Sequence, residues 1–318
     1  PEQSVLDGSF PTVVSPNPEE RSAMKMALDL AKRIDAELVL ATDPDSDRIA
    51  IGIRDHDGSY VLLNGNQTCV LLSSYMLAGW KERGKITGKE FIVKTIVTSE
   101  MIPLIAESYG VKCYECLTGF KYIAKVIREK EGKEVYIGGG EESFGFLAGD
   151  FVRDKDGVSA CSLAAEAAAW AKSKGLTLYD WLKQLYVEYG FYKEGLVSVV
   201  RKGKEGQEEI QRMMADYRSN PPRTILGSPV VKINDFQSLE TIDPASGRRS
   251  PIVQDRSNVL QFYTEDGTKV SVRPSGTEPK IKYYFGVKAP LADVADFNRV
   301  EKQLDEKIER IKQELKLV

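Results

Sequence analysis

The residues with the clearest chemical potential lie in one short loop, where Asp43, Asp45 and Asp47 stand at alternate positions and Arg48 follows directly. The apolar run at residues 38–41 predicts a buried strand, and open α/β sheets bind ligands at the carboxyl ends of their strands. Three carboxylates in one turn repel one another unless a cation lies among them, and oxygen ligands suit a hard ion such as Mg²⁺. The arginine adds a planar guanidinium that can bind phosphate. The loop therefore predicts a site for a metal ion and a phosphate.

The aspartate loop also has other interpretations. A calcium EF-hand is excluded, because Arg48 stands at the sixth position instead of glycine and Arg54 at the twelfth instead of glutamate. A phosphatase of the haloacid dehalogenase type would use Asp43 as its nucleophile, although Thr or Val normally occurs where Asp47 stands. A solvated charged turn is the simplest alternative. The last two stay open on the sequence alone.

A glycine-rich segment at residues 138–145 offers sugar-binding chemistry after a predicted strand. It is not a dinucleotide-binding fingerprint, because Ser143 occupies the position of the third glycine. Its carboxylates, Glu141 among them, and the Ser143 hydroxyl can bond to sugar hydroxyls, and its glycines let the backbone approach a ligand. A polar turn between a strand and a helix is the alternative.

Two further segments predict anion binding. Thr118 and Gly119 precede a predicted helix whose amino-terminal N–H groups, together with Lys121, suit a sugar phosphate; the alternative is an ordinary threonine cap beside an exposed lysine. The other segment, between two predicted strands, concentrates hydrogen-bond donors and predicts a phosphate cradle; a polar hairpin is the alternative. Its donors are Arg273, Ser275, Gly276 and Thr277.

Composition limits the classes of function. The 318 residues include 44 basic and 47 acidic residues, so the net charge of −3 gives no footprint for nucleic acid binding. No apolar stretch is long enough for a membrane span, and no signal peptide opens the sequence. The four cysteines lack a disulfide pattern, so Cys113 and Cys116 are interpreted as structural, and His56 as a solvated turn residue. These features predict a cytoplasmic protein without nucleic acid or membrane partners.

The predicted elements fall into three segments, residues 1–63, 64–190 and 191–318. The first has a helix capped by Asn17, the strand at 38–41 and a hairpin at 49–63. The second alternates strands and helices, which predicts a mostly parallel, doubly wound α/β sheet. The third reads as a smaller α+β domain that ends in a long amphipathic helix. The predicted fold class is therefore mixed α/β domains followed by an α+β domain.

These segments, in this order, resemble the α-D-phosphohexomutases, and the form Gly-Glu-Glu-Ser-Phe-Gly is similar to the phosphoglucomutase branch. The resemblance extends over the whole chain. Its three segments would be the carboxyl-terminal part of the family's domain II (1–63), domain III (64–190) and domain IV (191–318). They would carry the metal-binding loop, the sugar-binding loop and the phosphate-binding loop, respectively.

The resemblance implies an isomerase that moves a phosphoryl group between glucose 1-phosphate and glucose 6-phosphate through a phosphoserine and glucose 1,6-bisphosphate. It implies Mg²⁺ on the three aspartates, with Arg48 as a catalytic contact to the phosphoryl group. The implied substrate-binding residues belong to the other three loops: Thr118, Gly119, Lys121, Glu141, Ser143, Arg273, Ser275, Gly276 and Thr277.

The family's phosphoserine segment, of the type Thr-Ala-Ser-His-Asn-Pro, does not occur in these residues, and the chain starts at Pro1. We therefore expect a fragment that is inactive alone and whose partner is the amino-terminal part of the same polypeptide. The alternatives are a non-catalytic sugar-phosphate binding module, specificity for mannose or pentose phosphates, and the phosphatase introduced above.

Overall fold

The computed structural model describes residues 2–276 and 278–317 of the chain. The chain divides between Tyr189 and Gly190 into two compact units. In the described residues, no helix has the length and apolar character that a membrane crossing requires.

The first unit begins with a helix on a three-stranded antiparallel sheet of order β1-β2-β3. Its elements are α1 (Lys25–Ile34), β1 (Leu38–Thr42), β2 (Ile49–Arg54) and β3 (Tyr60–Leu62). Met24 and Ala31 of the helical segment pack on Val39, Ala50 and Tyr60 of the sheet. Antiparallel pairing of Leu38 with Ile53 and of Thr42 with Ile49 leaves residues 43–48 as the connecting loop.

The rest of the first unit is a second sheet with the order β5-β4-β6-β7 and its surrounding helices. Its elements are α2 (Gly65–Glu82), β4 (Glu90–Thr95), α3 (Met101–Ser108), β5 (Lys112–Cys116), α4 (Phe120–Lys130), β6 (Val135–Gly140), β7 (Phe146–Ala148), α5 (Gly157–Ser173) and α6 (Leu178–Tyr189). β4 pairs in parallel with β5 and β6, while β7 is antiparallel to β6. The predicted mostly parallel α/β arrangement is confirmed.

The burial of its strands and helices shows how this sheet is packed. Every residue of β4 is buried, which is typical of a parallel strand covered on both faces. Phe120, Ile123 and Ile127 form the apolar stripe of α4 and pack against Phe91 and Val93 of β4. α5 contacts β1, β2 and β7, so it joins the two sheets of this unit.

The second unit is an antiparallel sheet with the order β12-β11-β10-β13-β14-β15-β8, and β9 pairs with β10. Its elements are β8 (Phe191–Val200), α7 (Gly203–Ser219), β9 (Thr224–Ile225), β10 (Ser228–Asp235), β11 (Glu240–Ile242), β12 (Arg249–Pro251), β13 (Leu260–Thr264), β14 (Lys269–Pro274), β15 (Lys280–Ala289) and α8 (Phe297–Glu314). The buried stripe of α8, with Val300, Leu304 and Ile308, lies on β8 and β15. The predicted α+β character is confirmed.

Three details differ from the sequence predictions. The helix expected to start after Asn17 starts at Lys25, because the Asn17 side chain accepts the Glu19 N–H at 3.0 Å and closes a turn instead. The glycine-rich stretch extends β6 through Gly140, and it leads into β7 rather than into a helix. The helix α6 and the strands β7 and β9–β12 were not predicted.

Candidate functional site

The aspartate loop folds around its own first carboxylate. Asp43 Oδ1 accepts the backbone N–H groups of Asp47 at 3.1 Å and Arg48 at 3.0 Å. Ser46 takes a left-handed conformation with φ 57°, which turns the chain back toward β2. One carboxylate oxygen from each of Asp43, Asp45 and Asp47 lies within 4.8 Å of the others. The three aspartates of the sequence prediction are thus brought together.

The electrostatics of this cluster fit a hard divalent cation. Burial and the charges of Asp47 and Asp45 raise the pKa of Asp43 above its usual value, although the Arg48 N–H opposes the shift. Asp47 Oδ1 is buried without a hydrogen-bond partner, which is costly for a carboxylate oxygen. An all-oxygen donor set with mutual repulsion, in which one buried oxygen has no hydrogen bond and only an ion pair with Arg48 at 3.8 Å, is what a bound cation such as Mg²⁺ would stabilise.

Two basic side chains surround the cluster. Arg48 pairs with Glu19, and its Nε lies 3.5 Å from Asp43 Oδ2. Lys155 Nζ lies 2.5 Å from Asp47 Oδ2, and the Lys155 side chain is 18% exposed. Neither Glu19 nor Lys155 was predicted from the sequence, because each is distant along the chain from the aspartates and stands in an ordinary charged segment. Lys155 is held at the site by the two residues that follow it: the Asp156 N–H donates to the Phe146 carbonyl at 3.0 Å, and the Gly157 N–H donates to the Ser46 carbonyl at 2.8 Å.

The predicted sugar-binding segment is the turn between β6 and β7. Glu141 is 4% exposed, its Oε1 accepts the Gly119 N–H at 2.7 Å, and its own N–H donates to the Gly145 carbonyl at 2.8 Å. Burial and the neighbouring Glu142 raise the pKa of Glu141 to about 7. Ser143 is half-buried at the middle of the turn. The structure therefore offers one buried carboxylate and one hydroxyl at this position.

Backbone hydrogen bonds fasten this turn to the aspartate loop. Ile49 N–H donates to the Phe144 carbonyl at 2.9 Å, and Arg48 forms a β-bridge with Gly145. The Lys155 side chain covers Gly145, since a Cβ atom there would lie 2.6 Å from Lys155 Cδ. The metal candidate and the buried carboxylate are therefore parts of one arrangement within the first unit.

The segment before α4, which is predicted to bind an anion or a sugar phosphate, is hydrogen-bonded to Glu141. Gly119 is the N-cap residue, with φ 119° and no side-chain cap, so the threonine-cap interpretation is wrong. The Gly119 N–H is used by Glu141, while Thr118 Oγ1 is buried without a hydrogen-bond partner. Lys121 is exposed, with its ammonium 5.0 Å from the Tyr122 ring centroid.

The predicted phosphate cradle lies in the second unit, after β14. Arg273 is half-buried, and its backbone lies opposite that of Lys282 in the antiparallel pairing of β14 with β15. The Ser275 N–H donates to the Lys280 carbonyl at 2.7 Å, which closes the turn. A small cavity of about 80 Å³ is lined by Ser275, Gly276 and Lys280, among others. Thr277 lies outside the described residues.

The raised pKa of Glu141 makes a stability prediction. Its folded-state value of about 7 exceeds the usual 4.5, so the folded chain binds this proton more tightly than the unfolded chain. Stability from this group is therefore present below about pH 4.5 and is lost as the pH rises toward 7. Glu141→Gln keeps the Gly119 hydrogen bond but cannot ionise. We expect wild-type stability to fall relative to Glu141→Gln by about 2 kcal/mol between pH 5 and pH 8.

Urea unfolding of both proteins in metal-free buffer measures this difference. Comparing the two pH profiles cancels the other titrating groups, which the variants share. Parallel profiles over this pH range would contradict the buried, proton-binding Glu141.

Comparisons with known proteins identify the family of the chain. Three family models match the chain in succession: phosphoglucomutase/phosphomannomutase alpha/beta/alpha domain II at residues 1–58, alpha/beta/alpha domain III at 64–189, and the C-terminal domain at 199–299. A phosphoglucomutase of Staphylococcus haemolyticus (strain JCSC1435) is 35% identical over 302 residues, which cover 95% of this chain and 53% of that protein. A phosphoglucomutase of Staphylococcus aureus (strain N315) is 38% identical over 299 residues, 94% and 52% of the respective lengths.

The fold is shared with a solved structure. The open form of the phosphoglucomutase pp63/parafusin from Paramecium matches with a TM-score of 0.56 and 18% identity, covering 90% of this chain and 49% of that chain. The chain spans about half the length of the curated relatives it matches. Since consecutive domain models of one family account for most of its residues, the chain belongs to the phosphoglucomutase/phosphomannomutase family.

Proposed function

We propose that this chain supplies the metal, sugar and phosphate loops of a phosphoglucomutase, an isomerase that interconverts glucose 1-phosphate and glucose 6-phosphate through a phosphoserine and glucose 1,6-bisphosphate. The observation that carries the proposal is the backbone link between the aspartate loop and the turn between β6 and β7, which we call the Glu141 turn. It places a candidate metal site beside a buried carboxylate suited to sugar hydroxyls. The names of the staphylococcal relatives support the same activity for the whole protein.

We assign a role at the transferring phosphoryl group to the aspartate loop and to the two basic side chains beside it. Asp43, Asp45 and Asp47 would hold Mg²⁺, which supplies charge neutralisation to the transferring phosphoryl group when bound. Arg48 would contact that phosphoryl group, and Lys155 would add a second positive charge. Arg48 and Lys155 already form ion pairs with Glu19 and Asp47, so both positive charges are held beside the aspartate loop.

For the sugar, we assign Glu141 and Ser143 to its hydroxyls. Glu141 Oε1 is fixed by the Gly119 N–H, so its other oxygen is the one offered to a hydroxyl. The buried Thr118 hydroxyl has no hydrogen-bond partner and is a second candidate for a sugar contact. Lys121, at the exposed start of α4, would attract the anionic substrate.

In the second unit, the loop after β14 would bind the phosphate that is not being transferred, through Arg273, Ser275, Gly276 and Thr277. We propose that residues 1–63, 64–190 and 191–318 are parts of domains II, III and IV. The phosphoserine would come from polypeptide outside these residues, because none of their segments matches Thr-Ala-Ser-His-Asn-Pro.

We also propose a cytoplasmic location. The four cysteines, Cys69, Cys113, Cys116 and Cys161, are all free, as is usual in a reducing compartment.

Calorimetric titration of the purified chain with glucose 6-phosphate, in buffer containing Mg²⁺, tests the proposed function. We expect binding, and we expect Ser143→Ala to weaken it roughly fivefold to tenfold through loss of one hydrogen bond. Ser162→Ala, on the surface of α5, is the matched control and should bind normally. The chain alone should not convert glucose 1-phosphate over many turnovers.

Two results would count against the proposal. Absence of sugar-phosphate binding to the wild-type chain at roughly millimolar concentration would remove its basis. Release of inorganic phosphate, abolished by Asp43→Asn, would instead identify the phosphatase alternative.

A further inference from the structure

Two buried threonines fasten the Glu141 turn to the end of β4. Thr95 Oγ1 donates to Glu142 Oε2 at 3.1 Å, and Thr98 Oγ1 lies 3.4 Å from the same oxygen. The two hydroxyls are also 2.8 Å apart from each other. Both threonines are buried, at 0% and 1% exposure. A carboxylate that contacts two buried, mutually hydrogen-bonded hydroxyls has little freedom to change direction.

A buried lysine in turn holds the segment that carries these threonines. Lys94 is 0% exposed, and its Nζ lies 3.4 Å from the Thr95 carbonyl and 3.3 Å from the Thr98 carbonyl. The same ammonium donates to Glu100 at 3.1 Å and pairs with Glu115. Burial opposes the charge, but Glu115 and Glu100 raise the pKa of Lys94, so the cation persists. The ammonium therefore cross-links the turn that follows β4.

The two successive carboxylates of the Glu141 turn have different partners. Glu142 bonds to the threonines at the end of β4, whereas Glu141 bonds to Gly119 at the start of α4. The Cys69 thiol adds a third attachment, since Sγ lies 3.3 Å from the Glu141 carbonyl. The turn is thus held from β4, α2 and α4, and Glu141 lies close enough to Lys155 and Arg48 for both cations to oppose the rise of its pKa.

We propose that Thr95 and Thr98 are positioning residues that select which carboxylate meets the sugar. By binding Glu142, they keep Glu141 and Ser143 in the arrangement that a hexose phosphate needs, and Lys94 keeps the threonines in place. This inference rests on the proposed sugar-binding role of the turn. It predicts that the threonines affect recognition of sugar hydroxyls without affecting the metal site.

The test compares a double variant, Thr95→Val and Thr98→Val, with Thr95→Ser and Thr98→Ser in the same positions. Valine keeps the shape of threonine without its hydroxyl, whereas serine keeps the hydroxyl. Thr68→Val is the control, because the Thr68 hydroxyl is buried with no hydrogen-bond partner to lose. Amide hydrogen exchange of residues 141–146 reports on the turn, and exchange in the centre of β4 reports on the fold.

We expect the double valine variant to raise exchange in residues 141–146 at least tenfold, with the centre of β4 little changed. Its affinity for glucose 6-phosphate should fall at least tenfold, while Mg²⁺ affinity stays within about twofold of wild type. The serine variant and Thr68→Val should behave like wild type. If the double variant does not fold, Thr95→Val alone decides the question, because it removes the shorter of the two contacts to Glu142.

Unchanged exchange in residues 141–146 would overturn the inference, whatever happens to sugar binding. Loss of exchange protection throughout β4, or equal effects in the serine variant, would show a general structural role and would also overturn it. A wild-type chain that binds no sugar phosphate would instead contradict the proposed function, and the exchange data would still decide whether the threonines hold the turn.

Discussion

Asp45→Asn should weaken Mg²⁺ binding to this chain about tenfold or more. The substitution removes one of three negative charges from an oxygen-only cluster, and the charge of the ligand set governs affinity for hard cations. Of the three aspartates, Asp45 can be substituted with the least disturbance of the loop, because its side chain is exposed. Asp43 accepts two backbone N–H groups and Asp47 pairs with Lys155, so their substitution would also disturb the loop.

Calorimetry at low ionic strength, or the rise of the melting temperature with added Mg²⁺, gives the affinity. Asp57→Asn is the control, since it removes the same charge from the exposed turn between β2 and β3 and keeps an oxygen that can accept the Ser59 N–H. Equal affinities in wild type and Asp45→Asn, or an equal loss in both variants, would contradict a metal site in the aspartate loop.

Gly65→Ala should destabilise the chain by roughly 3 kcal/mol, even though alanine is the better helix former. Gly65 is the first residue of α2, and a Cβ atom there would lie 1.9 Å from the Glu142 carbonyl oxygen and 2.7 Å from the Phe144 nitrogen. These are backbone atoms, so the collision can be relieved only by moving the Glu141 turn or the helix. The affinity for glucose 6-phosphate should therefore fall together with stability.

Gly79→Ala in the same helix is the matched control. The nearest atom to a Cβ there is Arg83 Nη1 at 3.4 Å, at the end of a flexible side chain. This substitution should stabilise the chain by up to about 1 kcal/mol, because only the gain in helix propensity acts. Urea unfolding of both variants measures the difference. A Gly65→Ala protein as stable as wild type would show that the helix and the turn are not packed as described.

Strongly patterned elements could be predicted from the sequence, and locally ambiguous ones could not. The strands around the aspartate loop and the stripe of α8 follow clear periodicities. The three glycines at 138–140 look like a loop in sequence, yet they complete a buried parallel strand. A Cβ atom at Gly139 would lie 2.0 Å from the Val93 carbonyl oxygen, so close approach of backbones requires glycine there. Asn17 carries a helix-capping signal that a local turn uses instead.

The candidate site shows the same division. Residues with a local pattern, such as the three aspartates, are recognisable one segment at a time. Lys155, Glu19 and Thr95 reach the site only through packing of distant elements, and their local sequences carry no special signal. Long-range contacts of this kind depend on topology, which a single sequence specifies weakly.

The β-bridge between Arg48 and Gly145 has a mechanical consequence. Because backbone bonds tie the aspartate loop to the Glu141 turn, the two cannot slide past each other without breaking sheet-like pairing. The distance between the proposed metal site and the proposed sugar site is therefore fixed by backbone hydrogen bonds. If the proposed reaction requires a bisphosphate to present first one end and then the other, the ligand itself has to turn over, because the two loops cannot move relative to each other.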